Sequence, residues 1–225
     1  KKLCESSGMG KAFFCNSGTE ANEAAIKFAR KYGKNRSVII TADGGFHGRT
    51  MGSLSASAQK NLWEGFHPLT PGFKSTPYNN INAIKKLIEK DTIAVMVEPI
   101  QGEAGVFVPD DGYLKKAEKI CKANNVLLIC DEVQTGLART GKMLASDHEN
   151  VRPDVMTLGK ALGGGVIPVS AVVADKKFMG VFTPGSHGST FGGYPIAAAV
   201  GIAALEVLEC PELKRSVQEL GEFFR

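Results

Sequence analysis

Several things are missing from this sequence, and each absence removes a class of function. The five cysteines, Cys4, Cys15, Cys121, Cys130 and Cys210, are odd in number, widely spaced and without a Cys-x-x-Cys pair. That pattern argues strongly against a disulfide framework or a zinc site, and the expectation is free thiols in a reducing compartment. No run of five basic residues occurs and the net charge is only +4, which argues against nucleic acid as a partner. No apolar stretch approaches the length that spans a bilayer, and no signal peptide is visible, so no membrane partner is expected. No Gly-x-Gly-x-x-Gly leads from a strand into a helix, which disfavours a nicotinamide dinucleotide. No histidine or carboxylate cluster has metal-ligand spacing, so no metal is expected. Internal repeats, low-complexity tracts and clear linkers are also lacking.

What remains is a globular composition: 225 residues, 43% apolar and 22% charged, with 26 glycines. Helical and strand patterns alternate, the signature of an α/β domain with a mostly parallel central sheet flanked by helices. Residues 17–33 read as a helix, with Ala21, Ala24, Ala25, Phe28, Ala29 and Tyr32 in one apolar stripe, Ser17 and Glu20 as a capping box, and Gly33 as the stop. Further helices are expected over 80–90, 112–124 and 194–208, with another starting after Pro211 and running to Arg225. Strands are expected over 37–41, 93–97, 126–130, 155–158 and 169–174. These strands run into polar, glycine-rich sequence, and open parallel sheets bind ligands outside their carboxyl ends.

Five motifs lie at such places. Asn16-Ser17-Gly18-Thr19-Glu20 opens a helix, where small residues and the helix dipole suit a phosphate, or where Ser17 is an ordinary cap. Gly44-Gly45-Phe46-His47-Gly48-Arg49-Thr50 offers an aromatic face and a guanidinium for a carboxylate, or a turn with a packed histidine. Asp131-Glu132-Val133-Gln134 ends a strand, and a partly buried Asp131 there needs a cation, a cap role or a metal. Gly159-Lys160-Ala161-Leu162-Gly163-Gly164-Gly165 places a lysine between a buried strand and three glycines; held near cations and apolar walls, its amine would be a nucleophile. Gly185-Ser186-His187-Gly188-Ser189-Thr190 sets hydroxyls among glycines, fitting a phosphate or a flexible loop.

Taken in order, the runs NSGTEANEAAIKFAR, FHGRTMGSLSAS, PGFKSTPYNN, VEPIQGEAG, LLICDEVQTGLARTGK, PDVMTLGKALGGG and PGSHGSTFGG resemble the class III aminotransferases, within the fold-type I pyridoxal-phosphate enzymes. The resemblance spans essentially the whole chain. It implies the large domain of that fold and pyridoxal 5'-phosphate as cofactor. Lys160 and Asp131 are then the catalytic pair: Lys160 forms the Schiff base and shuttles a proton, and Asp131 partners the pyridine nitrogen. The cofactor-binding set implied is Ser17, Gly18, Thr19, Phe46, His47, Asp131, Gln134, Lys160, Ser189 and Thr190. Within it Phe46 stacks on the ring, Gln134 meets the phenolic oxygen, and Gly18 and Thr19 hold the phosphate through backbone and hydroxyl. Thr190 would reach the cofactor of the other subunit in a homodimer. Arg49 resembles a substrate-carboxylate anchor, Glu103 a gate glutamate that pairs with a distant arginine, and Glu98 a structural hydrogen-bonding residue.

Two branches of the family share these runs. QGEAG, TGLARTGK and the stretch from LGKALGGG onward resemble enzymes that move the δ-amino group of ornithine to 2-oxoglutarate, whereas CNSGTEANEAAIK and FHGRT resemble those that use N-acetylornithine. His47 and the run Thr19-Glu20-Ala21-Asn22 depart from the ornithine pattern, and Tyr194 replaces the asparagine that both branches usually carry. Ornithine is the expected donor, with N-acetylornithine or a non-catalytic module as alternatives. The chain starts at Lys1 without methionine and reads as a fragment: residues 1–209 as cofactor-binding domain, 210–225 as the start of a linker to a small domain. The expected compartment is the cytoplasm, or the mitochondrial matrix in a eukaryote.

Overall fold

The computed structural model describes residues 1–224; Arg225, which the sequence places in the last helix, lies outside them. Seven strands build one sheet: β1 (Lys11–Cys15), β2 (Val38–Ala42), β3 (Phe73–Thr76), β4 (Thr92–Val97), β5 (Leu127–Asp131), β6 (Val155–Leu158) and β7 (Ser170–Ala174). Their spatial order is β1-β7-β6-β5-β4-β2-β3. The pairings from β6 across to β3 are all parallel, while β7 runs antiparallel to both β6 and β1. Two reversals restore the direction, so β1 points the same way as β6. The carboxyl ends of β1, β6, β5, β4 and β2 therefore lie along one edge.

The helices are α1 (Lys2–Ser7), α2 (Gly18–Gly33), α3 (Met51–Ala56), α4 (Ile81–Leu87), α5 (Tyr113–Ala123), α6 (Lys176–Met179), α7 (Pro195–Glu209) and α8 (Pro211–Phe224). The central strands are buried end to end, as strands covered on both faces must be. Alternate residues feed two separate cores. Val95, Val97, Leu128, Cys130, Ala171 and Val173 join Tyr113, Leu114, Ala117 and Cys121 of α5 on one face. Ile93, Met96, Ile129 and Val172 join Ala21, Ala24, Ala25, Phe28 and Ala29 of α2 on the other.

The apolar stripe read along α2 is the buried one, with Tyr32 packed half-buried beside it. The capping box forms: Ser17 Oγ accepts from Glu20 N, and the Glu20 carboxylate accepts from Ser17 N. Alanines let this helix lie close to the sheet, and Gly33 abuts Ile93 so tightly that a Cβ there would come within 2.7 Å of Ile93 Cγ1. The helix expected over 80–90 is shorter, because Glu89 N turns to donate to Thr92 Oγ1 and leads straight into β4. All five cysteines are free, and burial pushes the thiols of Cys15 and Cys121 up to about 12. No helix among the described residues is long and apolar enough to cross a membrane.

Phe28 is fully buried and stands edge-on to Phe182, whereas Phe66 is mostly exposed. Phe28→Ala should cost about 3–5 kcal/mol of stability in the full-length protein. Phe66→Ala should cost less than about 0.5 kcal/mol, urea denaturation of the two variants giving the comparison.

Candidate active site

Five strands ending at one edge bring together segments far apart in sequence. Asp131 is the last residue of β5, Glu98 directly follows β4, Gly159 and Lys160 follow β6, and the loop 43–50 follows β2. Asn16 and Ser17 follow β1 and lead into the N-terminus of α2. Between them lies a cavity of roughly 270 Å³ lined by Gly18, Thr19, Asn22, Phe46, His47, Gly48, Arg49, Glu98, Glu103, Asp131, Val133, Gln134 and Lys160.

Asp131 sits at the floor of this cavity, 4% exposed. Its Oδ1 accepts from Val133 N at 3.1 Å and from Thr157 Oγ1 at 3.2 Å. Its Oδ2 accepts from Asn22 Nδ2 at 2.7 Å and lies 2.8 Å from His47 Nδ1. Glu132, the next residue, points away from the cavity and is fully buried. It accepts from Thr135 Oγ1, Ala145 N and Ser146 N, which ties down the loop after β5. One carboxylate of the Asp-Glu pair serves the cavity and the other holds the fold.

His47 is completely enclosed. Burial alone would lower its pKa, but the hydrogen bond and charge of Asp131, with Glu98 adding to them, carry the net shift upward. Its Nε2 has no hydrogen-bond partner among the described residues. Behind it, Glu98 Oε2 accepts from Phe46 N at 2.9 Å and so holds the loop that carries the aromatic ring. Burial, joined by repulsion from Asp131 and opposed by His47, pushes the Glu98 carboxyl up to about 7.

Lys160 has φ 42°, a left-handed conformation rarely adopted by a side-chain-bearing residue and often retained at functional positions. Its Nζ donates to Gln134 Oε1, and both residues also line a second cavity of roughly 430 Å³ with Ile100, Val106, Arg139 and Ala161. The side chain is exposed, so the described residues do not supply the apolar enclosure that the motif suggested.

The remaining expectations divide. Gly18, Thr19, Phe46, His47, Arg49, Gln134 and Glu103 all line the cavity with Asp131 and Lys160. Arg49 Cζ lies 5.5 Å from the centroid of the Phe46 ring. Ser17, Ser189 and Thr190 are not in the lining: Ser17 spends its hydroxyl on the cap, Ser189 Oγ accepts from Asn16 Nδ2 at 3.2 Å, and Thr190 is exposed. The Thr19 hydroxyl is engaged by Ser53 Oγ at 2.6 Å and Thr50 Oγ1 at 3.0 Å. Among the described residues Glu103 and Arg49 form no ion pair. Sequence reasoning did not assign Asn22 or Thr157 to the site. A buried amide on the inner face of α2 was the one available signal.

The arrangement suits pyridoxal 5'-phosphate on observations of the structure itself. At the first turn of α2 the N–H groups of Gly18 and Thr19 make no hydrogen bond among the described residues, leaving donors for an anion at the positive end of a long helix. Gly18 has no room for a Cβ, which would come within 2.7 Å of Val133 Cγ1, so the backbone itself faces the cavity. Across the cavity the buried Asp131 carboxylate suits a cationic ring nitrogen, and Lys160 supplies a primary amine.

An acid with a native pKa of about 7 against an ordinary 4.5 holds its proton more tightly when folded. The stability that Glu98 contributes is therefore full below its ordinary pKa and is lost as pH climbs through the native one. Urea midpoints of the full-length protein should fall between about pH 5 and about pH 7.5, and Glu98→Gln should flatten that fall. An unchanged fall in the variant would show that another group is responsible.

The class-III aminotransferase family model matches residues 1–225. Ornithine aminotransferase of Brevibacillus brevis is 50% identical over the whole chain, which spans 58% of that relative. The crystal structure of ornithine aminotransferase from Toxoplasma gondii ME49 superposes with a TM-score of 0.96 at 43% identity, covering 99% of this chain and 55% of that one. Acetylornithine aminotransferase from Elizabethkingia anophelis superposes with a TM-score of 0.85 at 44% identity, covering all of this chain and 55% of that one. The chain thus spans somewhat more than half the length of its relatives, and it belongs to the class-III aminotransferase family.

Proposed function

We propose that the whole protein is a pyridoxal-phosphate-dependent aminotransferase that passes the δ-amino group of ornithine to 2-oxoglutarate, giving glutamate semialdehyde and glutamate. The observation that carries this reading is the single cavity in which Asp131, Lys160, Gln134 and the free N–H groups of α2 meet. Pyridoxal 5'-phosphate, when bound, supplies an aldehyde carbon that accepts amines and an electron-poor ring that stabilises negative charge on the neighbouring substrate carbon.

The residues divide the remaining work. Asp131, held by four donors, keeps a proton on the ring nitrogen through charge pairing. Gly18 and Thr19 fix the phosphate through backbone N–H groups. The Lys160 amine would be the base that takes a proton from the substrate carbon and holds it for return. Gln134 accepts from Lys160 Nζ and orients it, and would meet the ring's phenolic oxygen. Arg49 and Lys160 are the arginine and the lysine of the cavity lining, and the third basic residue there, His47, is bound to Asp131. With Lys160 given to the chemistry, Arg49 takes a carboxylate of the dicarboxylate acceptor. Glu103, exposed at the rim, is the gate residue on this reading.

We further read Ser189 and Thr190 as serving the neighbouring cofactor in a homodimer, which accounts for their standing outside this cavity. N-acetylornithine as donor is the second reading, favoured by the likeness to the E. anophelis structure.

Lys160→Ala should abolish transamination in the full-length protein while leaving weak cofactor binding; turnover at the normal rate would refute the assignment. Titrating the yellow holoenzyme with each amine separates the donors. Bleaching by ornithine alone supports the first reading, and bleaching by N-acetylornithine alone moves it to the second.

A further inference from the structure

The loop carrying Phe46 and Arg49 is held from an unexpected direction. Glu23, on α2, lies half-buried outside the cavity lining. Its Oε1 accepts from Gly52 N at 2.9 Å, from Ser53 N at 3.0 Å and from Thr50 Oγ1 at 2.5 Å. Thr50 is the N-cap residue of α3 but makes no side-chain cap of its own. The cap of α3 thus comes from another helix, as a carboxylate on backbone donors. Thr50 Oγ1 and Ser53 Oγ are 2.8 Å apart, and both reach Thr19 Oγ1. One polar network therefore ties Thr19, at the phosphate end of α2, to the residues that flank Arg49.

The backbone has been fitted to this contact. Gly48 has φ +134°, and a Cβ there would collide with the Thr19 and Ser53 hydroxyls. A Cβ on Gly52 would collide with the Glu23 carboxylate. Arg49 stands between these anchors with its guanidinium near the Phe46 ring and no ion pair among the described residues. An arginine that keeps many rotamers must order itself when a carboxylate binds, so the rigidity of its backbone sets part of that cost.

We propose that Glu23 is a positioning residue for the acceptor substrate: through Thr50, Ser53 and Thr19 it locks the Arg49 loop onto the helix that holds the cofactor phosphate. The role rests on the reading of Arg49 as the carboxylate anchor. It makes dicarboxylate capture and phosphate binding two ends of one rigid unit. Glu23 touches neither ligand.

The test uses the full-length holoenzyme at saturating pyridoxal phosphate, with Arg49→Ala, Glu23→Ala, Glu23→Gln and the double variant of Arg49→Ala with Glu23→Ala. Glu23→Ala should raise KM for 2-oxoglutarate about tenfold, with kcat falling far less. Glu23→Gln, whose amide oxygen still accepts from Gly52 and Ser53, should recover most of that loss. In the Arg49→Ala background Glu23→Ala should add no further rise in KM, because the guanidinium it positions is gone. Thr50→Val, which removes the hydroxyl link but leaves the cap of α3, should give an intermediate KM. A Glu23→Ala effect that falls on kcat for both substrates and multiplies fully with Arg49→Ala would overturn the proposal and leave a merely structural role. If Arg49→Ala leaves the KM for 2-oxoglutarate unchanged, the anchor reading itself fails, whatever Glu23 does.

Discussion

A carboxylate taken out of water at the end of a strand is the constraint on which the rest of this site depends. Asp131 is 4% exposed, and an unpaired anion at such a depth would cost several kcal/mol, on the order of what a whole domain has to spare. Four donors from four parts of the chain meet that cost: Asn22 from α2, His47 from the loop after β2, Val133 from the loop after β5, and Thr157 from β6. A carboxylate offers about four lone-pair sites, so this one is nearly saturated. It can neither turn nor retreat, and a cation in the cavity meets an anion already in place.

The sheet explains why donors so distant in sequence converge. β7 runs against both β6 and β1, and this reversal brings the carboxyl end of β1, and with it the first turn of α2, to the same edge as β2, β4, β5 and β6. Were β7 parallel to β6 alone, α2 would start at the far edge, and neither Gly18 nor Asn22 could reach the cavity. Asn22 is the clearest product of this topology. Its amide donates both to His47 O and to Asp131 Oδ2, pinning together the loop after β2 and the end of β5.

Much of the fold was legible in the sequence because the central strands are covered on both faces and read as uninterrupted apolar runs. The two strands that escaped, β1 and β3, are the two edges of the sheet. β3, Phe-Lys-Ser-Thr, has one buried residue, and β1 also has one, so neither shows a continuous core signal. The site was legible where chemistry demands a rare residue beside glycine, as at Gly159-Lys160 and Phe46-His47-Gly48-Arg49. It was not legible where the role lies in a partner across space. His47 lines the cavity, but its bond to Asp131 cannot be read from either residue's neighbours in sequence, and Thr157 looks like any strand threonine. Glu23 looks like one more charge on the solvated side of a helix. Ser17 carried two readings in the sequence, phosphate contact and helix cap, and its hydroxyl is engaged in the cap.

The glycines of the site show how such precision is reached at the edge of the sheet. Gly18 lets the N-terminus of α2 lie against Val133, Gly48 lets the Arg49 loop lie against Thr19, and Gly52 lets α3 receive the Glu23 carboxylate. In each case the missing Cβ is replaced by a group from another element, so backbone meets side chain at contact distance. Each glycine costs conformational entropy on folding that alanine would not. The return is that the Gly18 and Thr19 N–H groups, the Phe46 ring and the Arg49 guanidinium sit on backbone held in close contact with side chains of other elements. Flexible side chains bridging the same gaps would lose entropy again at each substrate exchange. On the function proposed above, in which two substrates enter one cavity in turn, the site gains from a frame that is already ordered before either arrives.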